Sequence, residues 1–214
     1  MAIGELKTST PIRYPESDGK PMGETDAHIS QIIDLRFALA QFFRNDPQIY
    51  VAADLLLYYA EGDPREFVVP DVFVARVSKG ERRIYKLWEE GRAPEAVFEI
   101  TSTSTRREDL GTKKVLYSEL GVNEYFVFDP TGEDLRPPLR AFRLSGPDYQ
   151  PLKEPFISES LSLELRVEAG RLRLYDLPSG QRLMTPTEES AARRVAEAEV
   201  ERLKTEIERL KKQK

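Results

Sequence analysis

Residues 95–130, EAVFEITSTSTRREDLGTKKVLYSELGVNEYFVFDP, constrain this chain more than any other stretch. They read as strand, polar loop, helix, turn and second strand. Ala96–Ile100 is a short apolar and β-branched run whose one acid, Glu99, stands near its end. The polar run Thr101–Thr105 cannot continue a core strand and offers hydroxyls to cap the next helix. That helix is expected over Glu108–Leu120, stopped by Gly121, and Tyr125–Phe128 is apolar enough for a buried strand.

The helix carries a charge in the wrong place. At about 100° per residue, Leu110, Leu116, Tyr117 and Leu120 share one stripe, the face turned to the core. Lys113 falls near the middle of the stripe and Lys114 at its rim. A lysine aimed at the core needs a carboxylate or must lose its charge. Snorkelling, with the stem over apolar surface and the ammonium in water, is the commoner fate of such a residue. Here a strand end bearing Glu99 lies directly upstream, which shifts the balance toward a site.

Composition narrows the chemistry. The 214 residues are 40% hydrophobic and 32% charged, enough for one domain and an appendage. No run approaches the ~20 apolar residues of a membrane helix, and MAIGELKTST has no signal-peptide core. Cysteine is absent, which excludes disulfides and thiolate metal sites; with no targeting signal, the expected address is cytoplasmic. A single histidine, His28, argues against histidine-rich zinc chemistry or a histidine-based triad. The net charge of −5 argues against strong non-specific nucleic-acid binding, although Arg82, Arg83, Lys86, Arg106 and Arg107 could supply a local basic face.

In chain order, residues 1–23 read as a loosely held arm and 24–185 as the main domain. Helical spacing of Ile29, Ile32, Leu35, Leu39 and Phe42 predicts a helix from Asp26 to Phe43, with Thr25 or Asp26 as N-cap. Glu24 and His28 stand at its entrance. Strands are expected at Ile49–Tyr59 and Phe67–Ala75, the second interrupted by Pro70, which implies an edge, a strand beginning or a bulge. Asp71 follows that proline inside an apolar run and needs a partner. A short helix is expected around Ile84–Glu89, with Trp88 packing. Later strands at Leu139–Leu144, Leu161–Val167 and Leu172–Asp176 read as an extension of the sheet.

Thr185-Pro186-Thr187-Glu188 is a capping-box pattern with proline at the first helical position. From there residues 186–214 are rich in Ala, Glu, Lys and Arg. Ala196, Val200, Leu203, Ile207 and Leu210 alternate spacings of four and three, a short heptad seam. The expectation is a C-terminal coiled-coil helix and a homodimer through it.

Asp71, Glu99 and Lys113 together make a chemical constellation. Two carboxylates at adjacent strand positions suit Mg²⁺, which uses few protein oxygens and keeps several waters. A neighbouring ammonium could help activate a water or stabilise charge on a phosphate. At these residues the chain resembles the PD-(D/E)XK nuclease superfamily and, within it, the Uma-two family of endonucleases. The resemblance rests on Pro70-Asp71-Val72-Phe73-Val74 and Val97-Phe98-Glu99-Ile100-Thr101-Ser102, then on Asp109, Lys113, Tyr117 and Gly121-Val122-Asn123-Glu124-Tyr125-Phe126.

The resemblance implies an α/β, restriction-endonuclease-like core, a central mixed β-sheet flanked by helices. It implies Asp71 and Glu99 as ligands of Mg²⁺ or Mn²⁺ with the Ile100 carbonyl beside them, Lys113 as catalytic lysine, and Glu24 as an added acid. One departure stands out: Thr101 occupies the place, two after Glu99, where the superfamily lysine belongs. The expected activity is metal-dependent endonucleolytic hydrolysis of DNA. The alternative is a nuclease fold without catalysis, kept as a binding or dimerisation module.

Overall fold

The computed structural model describes residues 12–17 and 25–212. Its helices are α1 (Asp26–Phe42), α2 (Leu87–Glu90), α3 (Arg106–Leu110), α4 (Thr112–Glu119) and α5 (Pro186–Lys211). The strands in the first half are β1 (Tyr50–Ala53), β2 (Leu57–Tyr58), β3 (Phe67–Val68), β4 (Val72–Ala75), β5 (Tyr85–Lys86) and β6 (Ala96–Ile100). In the second half they are β7 (Glu124–Phe128), β8 (Leu139–Ser145), β9 (Asp148–Pro151), β10 (Phe156–Ser158), β11 (Leu163–Glu168) and β12 (Arg171–Asp176).

A six-stranded mixed sheet, order β1-β4-β6-β7-β8-β9, forms the centre, flanked by helices as expected. β6 and β7 pair in parallel, and such a pair needs a crossover; α3 and α4 supply it. Every residue of β6 and β7 is buried, because both faces of the sheet are covered. Phe98, Ile100, Phe126 and Phe128 point into a core with Leu35 and Leu39 of α1 and the strands β11 and β12. Val97, Tyr125 and Val127 point the other way, with Phe73 and Tyr117. Strand alternation puts Glu99 on the face of Val97, beneath α4.

Two expected strands are each divided. Ile49–Tyr59 breaks at Asp54, which takes a positive φ of 50°, and Leu57–Tyr58 turns away to pair with β3 and β5 in a second sheet. Phe67–Ala75 divides at Pro70, which cannot donate to a ladder, so β4 begins two residues later. The C-terminal extension is also partly different. β8 and β9 lengthen the main sheet, but β10, β11 and β12 form a three-stranded sheet of their own.

α1 starts at Asp26 with Thr25 as N-cap, its hydroxyl accepting from the His28 N–H. Its inner face is not the expected apolar one throughout. Leu35 and Leu39 are buried, but so are His28 and Gln31, while Ile29 is exposed. Gln31 replaces a missing ladder partner: its amide donates to the Leu172 carbonyl at 3.1 Å and accepts from the Leu172 N–H at 3.0 Å, on edge strand β12. The described part of the N-terminal arm is held rather than loose. Tyr58 donates to the Pro15 carbonyl at 2.7 Å, and Tyr14 packs between Tyr58 and Trp88.

The single helix expected over Glu108–Leu120 is two, α3 and α4, parted at Gly111 (φ −114°, ψ −96°). A Cβ on Gly111 would stand 2.7 Å from the Arg107 carbonyl oxygen, a backbone atom that cannot swing aside. Gly111→Ala is therefore expected to destabilise the fold by about 1–3 kcal/mol, the usual cost of an overpacked site. Thermal melting checks this, and an unchanged melting temperature would show that the break does not require glycine. Past α4, Gly121 takes φ +80° and ends the helix as expected. At α5 the capping box is complete, with the Thr185 and Glu188 side chains each accepting from the other's backbone N–H.

Candidate active site

Antiparallel pairing of β4 with β6 sets Val72 opposite Phe98, and so brings Asp71, one residue before β4, to Glu99. The two are stitched by backbone. The Ile100 N–H donates to Asp71 Oδ2 at 2.6 Å, and the Asp71 N–H reaches Glu99 Oε2 at 3.5 Å. Ile100 thus joins the site through its N–H, whereas the sequence singled out its carbonyl. His28, at the start of α1, places Nε2 3.6 Å from Asp71 Oδ2.

α3 and α4 supply the rest. Lys113 Nζ lies 3.0 Å from Glu99 Oε2 and 3.1 Å from Asp109 Oδ1. The second contact is an ion contact without hydrogen-bond geometry, as Asp109 Oδ1 accepts no hydrogen bond. Tyr117 donates its hydroxyl to Glu99 Oε1 at 2.7 Å, and Tyr125 donates to the Asp109 carbonyl at 2.8 Å. Asp109, Lys113 and Tyr117 are spaced by four, which keeps them on one face across the break at Gly111. Lys114 departs as the stripe predicts: its ammonium sits 4.1 Å over the Phe142 ring. It lines a cavity of about 830 Å³ beside α4, together with Leu110, Leu116 and Tyr149.

The structure therefore unites Asp71, Glu99 and Lys113, and adds Asp109, which appeared in the sequence only as part of a resemblance, and Tyr117, read there as part of the core-facing stripe as well. Their i±4 spacing from Lys113 was the available signal. Glu24 lies outside the described residues. The suggested basic face is largely neutralised: Arg82 binds Glu90, Arg83 binds Glu16, Lys86 binds Glu89 and Arg106 faces Asp134.

Charge at the site is unbalanced. Three carboxylates converge on one ammonium. Burial lifts the Glu99 pKa most; Lys113 opposes this, Asp71 and Asp109 add to the rise, and the Tyr117 hydrogen bond lowers it, leaving it pushed up to about 8. Partial burial disfavours the charge of Lys113 too, yet Glu99, Asp109 and Asp71 outweigh that and hold its pKa above the usual lysine range. It stays an ammonium. Because the folded value of Glu99 exceeds its unfolded one, the folded chain carries the extra proton, and stability must fall as pH rises between the two. In metal-free buffer the melting temperature is expected to drop from about pH 5 to about pH 8, and Glu99→Gln should flatten that slope. An equal slope in the variant would place its origin elsewhere.

The donor set suits a hard cation. Among the described residues no three His, Asp or Glu side chains are grouped to enclose a metal ion. Asp71 and Glu99 alone match the sparse protein ligation of Mg²⁺, with waters completing the shell. Asp109 is held by Lys113, behind the pair. The surplus negative charge is what a divalent cation would relieve.

A family model described as "Putative restriction endonuclease", Uma2, matches residues 5–173. The chain belongs to the Uma2 family. Membership supports a nuclease, a hydrolase acting on nucleic acids. Among solved structures, one described as a "putative nuclease belonging to DUF820", from Anabaena variabilis, is similar over 68% of this chain and 82% of that chain, with 17% identity and a TM-score of 0.47. At that identity and score the likeness carries no chemistry. No curated protein matches the chain. No described helix of this Uma2 chain is long and apolar enough to cross a membrane.

Proposed function

We propose that this chain is a divalent-metal-dependent endonuclease of DNA, working in the cytoplasm, with Asp71 and Glu99 holding Mg²⁺ or Mn²⁺. The observation that carries the proposal is the Lys113 ammonium, fixed 3.0 Å from a buried Glu99 that itself adjoins Asp71. The Ile100 carbonyl is proposed as a further ligand, and Glu24 as an added acid. When bound, the cation would act as a Lewis acid on the scissile phosphate and lower the pKa of a water.

The chain's own residues have separable tasks. Tyr117 holds Glu99 by Oε1, and the Ile100 N–H holds Asp71 by Oδ2, so both carboxylates are oriented before any ligand arrives. Lys113, kept charged by its acids, serves as an electrostatic and hydrogen-bonding group for the phosphate or the attacking water. It is not a general base, since it has no lone pair to offer while protonated. Thr101 cannot take that role, because a neutral hydroxyl supplies no charge.

A second reading, a nuclease fold that binds without cutting, is favoured by the net charge of −5 and by the paired state of Arg82, Arg83, Lys86 and Arg106. Incubation with plasmid and single-stranded DNA plus Mg²⁺ or Mn²⁺, beside a Glu99→Ala control, separates the two. Metal-dependent nicks that vanish in the control support the nuclease; no cleavage of either substrate supports the second reading.

A further inference from the structure

The part of the molecule that the site does not use is α5. Its start is anchored: Thr185 is buried, and Glu188 pairs with Arg173 and with Arg182 at 2.8 Å. Beyond that the helix rests on nothing that buries it, for no residue of α5 is buried. Val200, Leu203, Ile207 and Leu210 are 50%, 48%, 50% and 52% exposed, on one seam with Ala196. Four large aliphatic side chains in one line on a water-exposed helix are not explained by packing within the chain.

We propose that this seam is the dimer interface of the protein, and that it takes a second copy of α5 in parallel. The charges select the occupant. With Val200 and Ile207 at a and Ala196, Leu203 and Leu210 at d, the flanking g positions are Glu199 and Glu206 and the e positions Glu197, Lys204 and Lys211. In a parallel pair g faces the following e of the partner helix, so Glu199 meets a lysine at position 204 and Glu206 one at 211. In an antiparallel pair g faces g and e faces e, which sets glutamate against glutamate along g and leaves only Glu197 to meet a lysine along e. The parallel orientation thus matches both glutamates at g with lysines, whereas the antiparallel one sets them against each other.

In the isolated helix Glu199 and Glu206 lie against Arg202 and Arg209, three residues on, and Lys204 against Glu201. These pairs are exposed and weak, so they yield readily to partners across the seam. Branched residues at a with leucine at d favour two strands.

Light scattering on the full chain tests the interface, and the expected mass is twice 24.5 kDa. Leu203→Glu with Ile207→Glu should halve that mass without changing the melting of the body, since neither side chain is buried. Orientation is read separately. The chain has no cysteine, so a Gly-Gly-Cys tail added after Lys214 provides a unique thiol. Oxidation with copper phenanthroline should convert the parallel dimer to a covalent one, and the doubly substituted chain should stay uncoupled. A wild-type mass of one chain overturns the proposal. So does a dimer that survives the double substitution, and a dimer whose tails do not couple overturns the parallel register.

Discussion

Lys113→Met is expected to abolish DNA cleavage, by a factor of at least about 10² if it removes one preorganised electrostatic contact to the transition state. Its ammonium is the only cation within reach of both Glu99 and Asp109 among the ion pairs of the described residues. Replacing one partner of a buried cluster also leaves the others without compensation, and such a loss costs about 3–5 kcal/mol when it is not relieved. Glu99, pushed up to about 8, already carries a proton below that pH, which relieves part of the loss. The variant therefore needs a check that it is folded at the assay temperature, and Lys113→Arg, which keeps the charge, serves as the second variant. Lys114→Ala loses only a contact over the Phe142 ring, about 0.5–1 kcal/mol, and should cut normally. A dead Lys114→Ala beside a fully active Lys113→Met would mean that the register of α4 misplaces the site.

The second large effect concerns metal and Glu99. Mg²⁺ or Mn²⁺ is expected to raise the melting temperature of the wild type, because a ligand that binds only the folded state stabilises it by mass action, about 2.7 kcal/mol at a hundredfold excess over its Kd. Glu99→Ala should remove that gain. It should also leave Tyr117 and Lys113 without their shared acceptor, so the variant starts from a lower melting temperature in buffer alone. The readout is thus the metal-induced shift within each protein, not the absolute midpoint. An equal shift in both would place the cation away from Glu99.

These two residues also mark what could be read from the sequence and what could not. Lys113 was legible because a helix stripe has a fixed angular width, and a charge in its middle has few explanations. The same periodicity that found it hid the break at Gly111, since glycine is tolerated inside helices and the pattern of apolar residues continues across it. Asp109 sits four residues before Lys113, and its burial could be anticipated only once Lys113 was known to need acids on both sides. Strand edges were less legible. Apolar runs at Ile49–Tyr59 and Phe67–Ala75 carry no mark of which half joins which sheet; that is decided by the turns at Asp54 and Pro70. β9 escaped because Tyr149 is its one buried residue, and β10 because three residues make no period. Gln31 is the opposite case, a polar residue buried on a helix because an edge strand needs both its donor and its acceptor.

The most direct measurement is a plasmid-nicking assay of four purified proteins, wild type, Glu99→Ala, Lys113→Met and Lys114→Ala, each in Mg²⁺ and in EDTA. The account predicts nicking by the wild type and Lys114→Ala in Mg²⁺ alone, and by neither of the others in either buffer. Wild-type nicking that persists in EDTA, or nicking by Glu99→Ala or Lys113→Met at the wild-type rate, would contradict it.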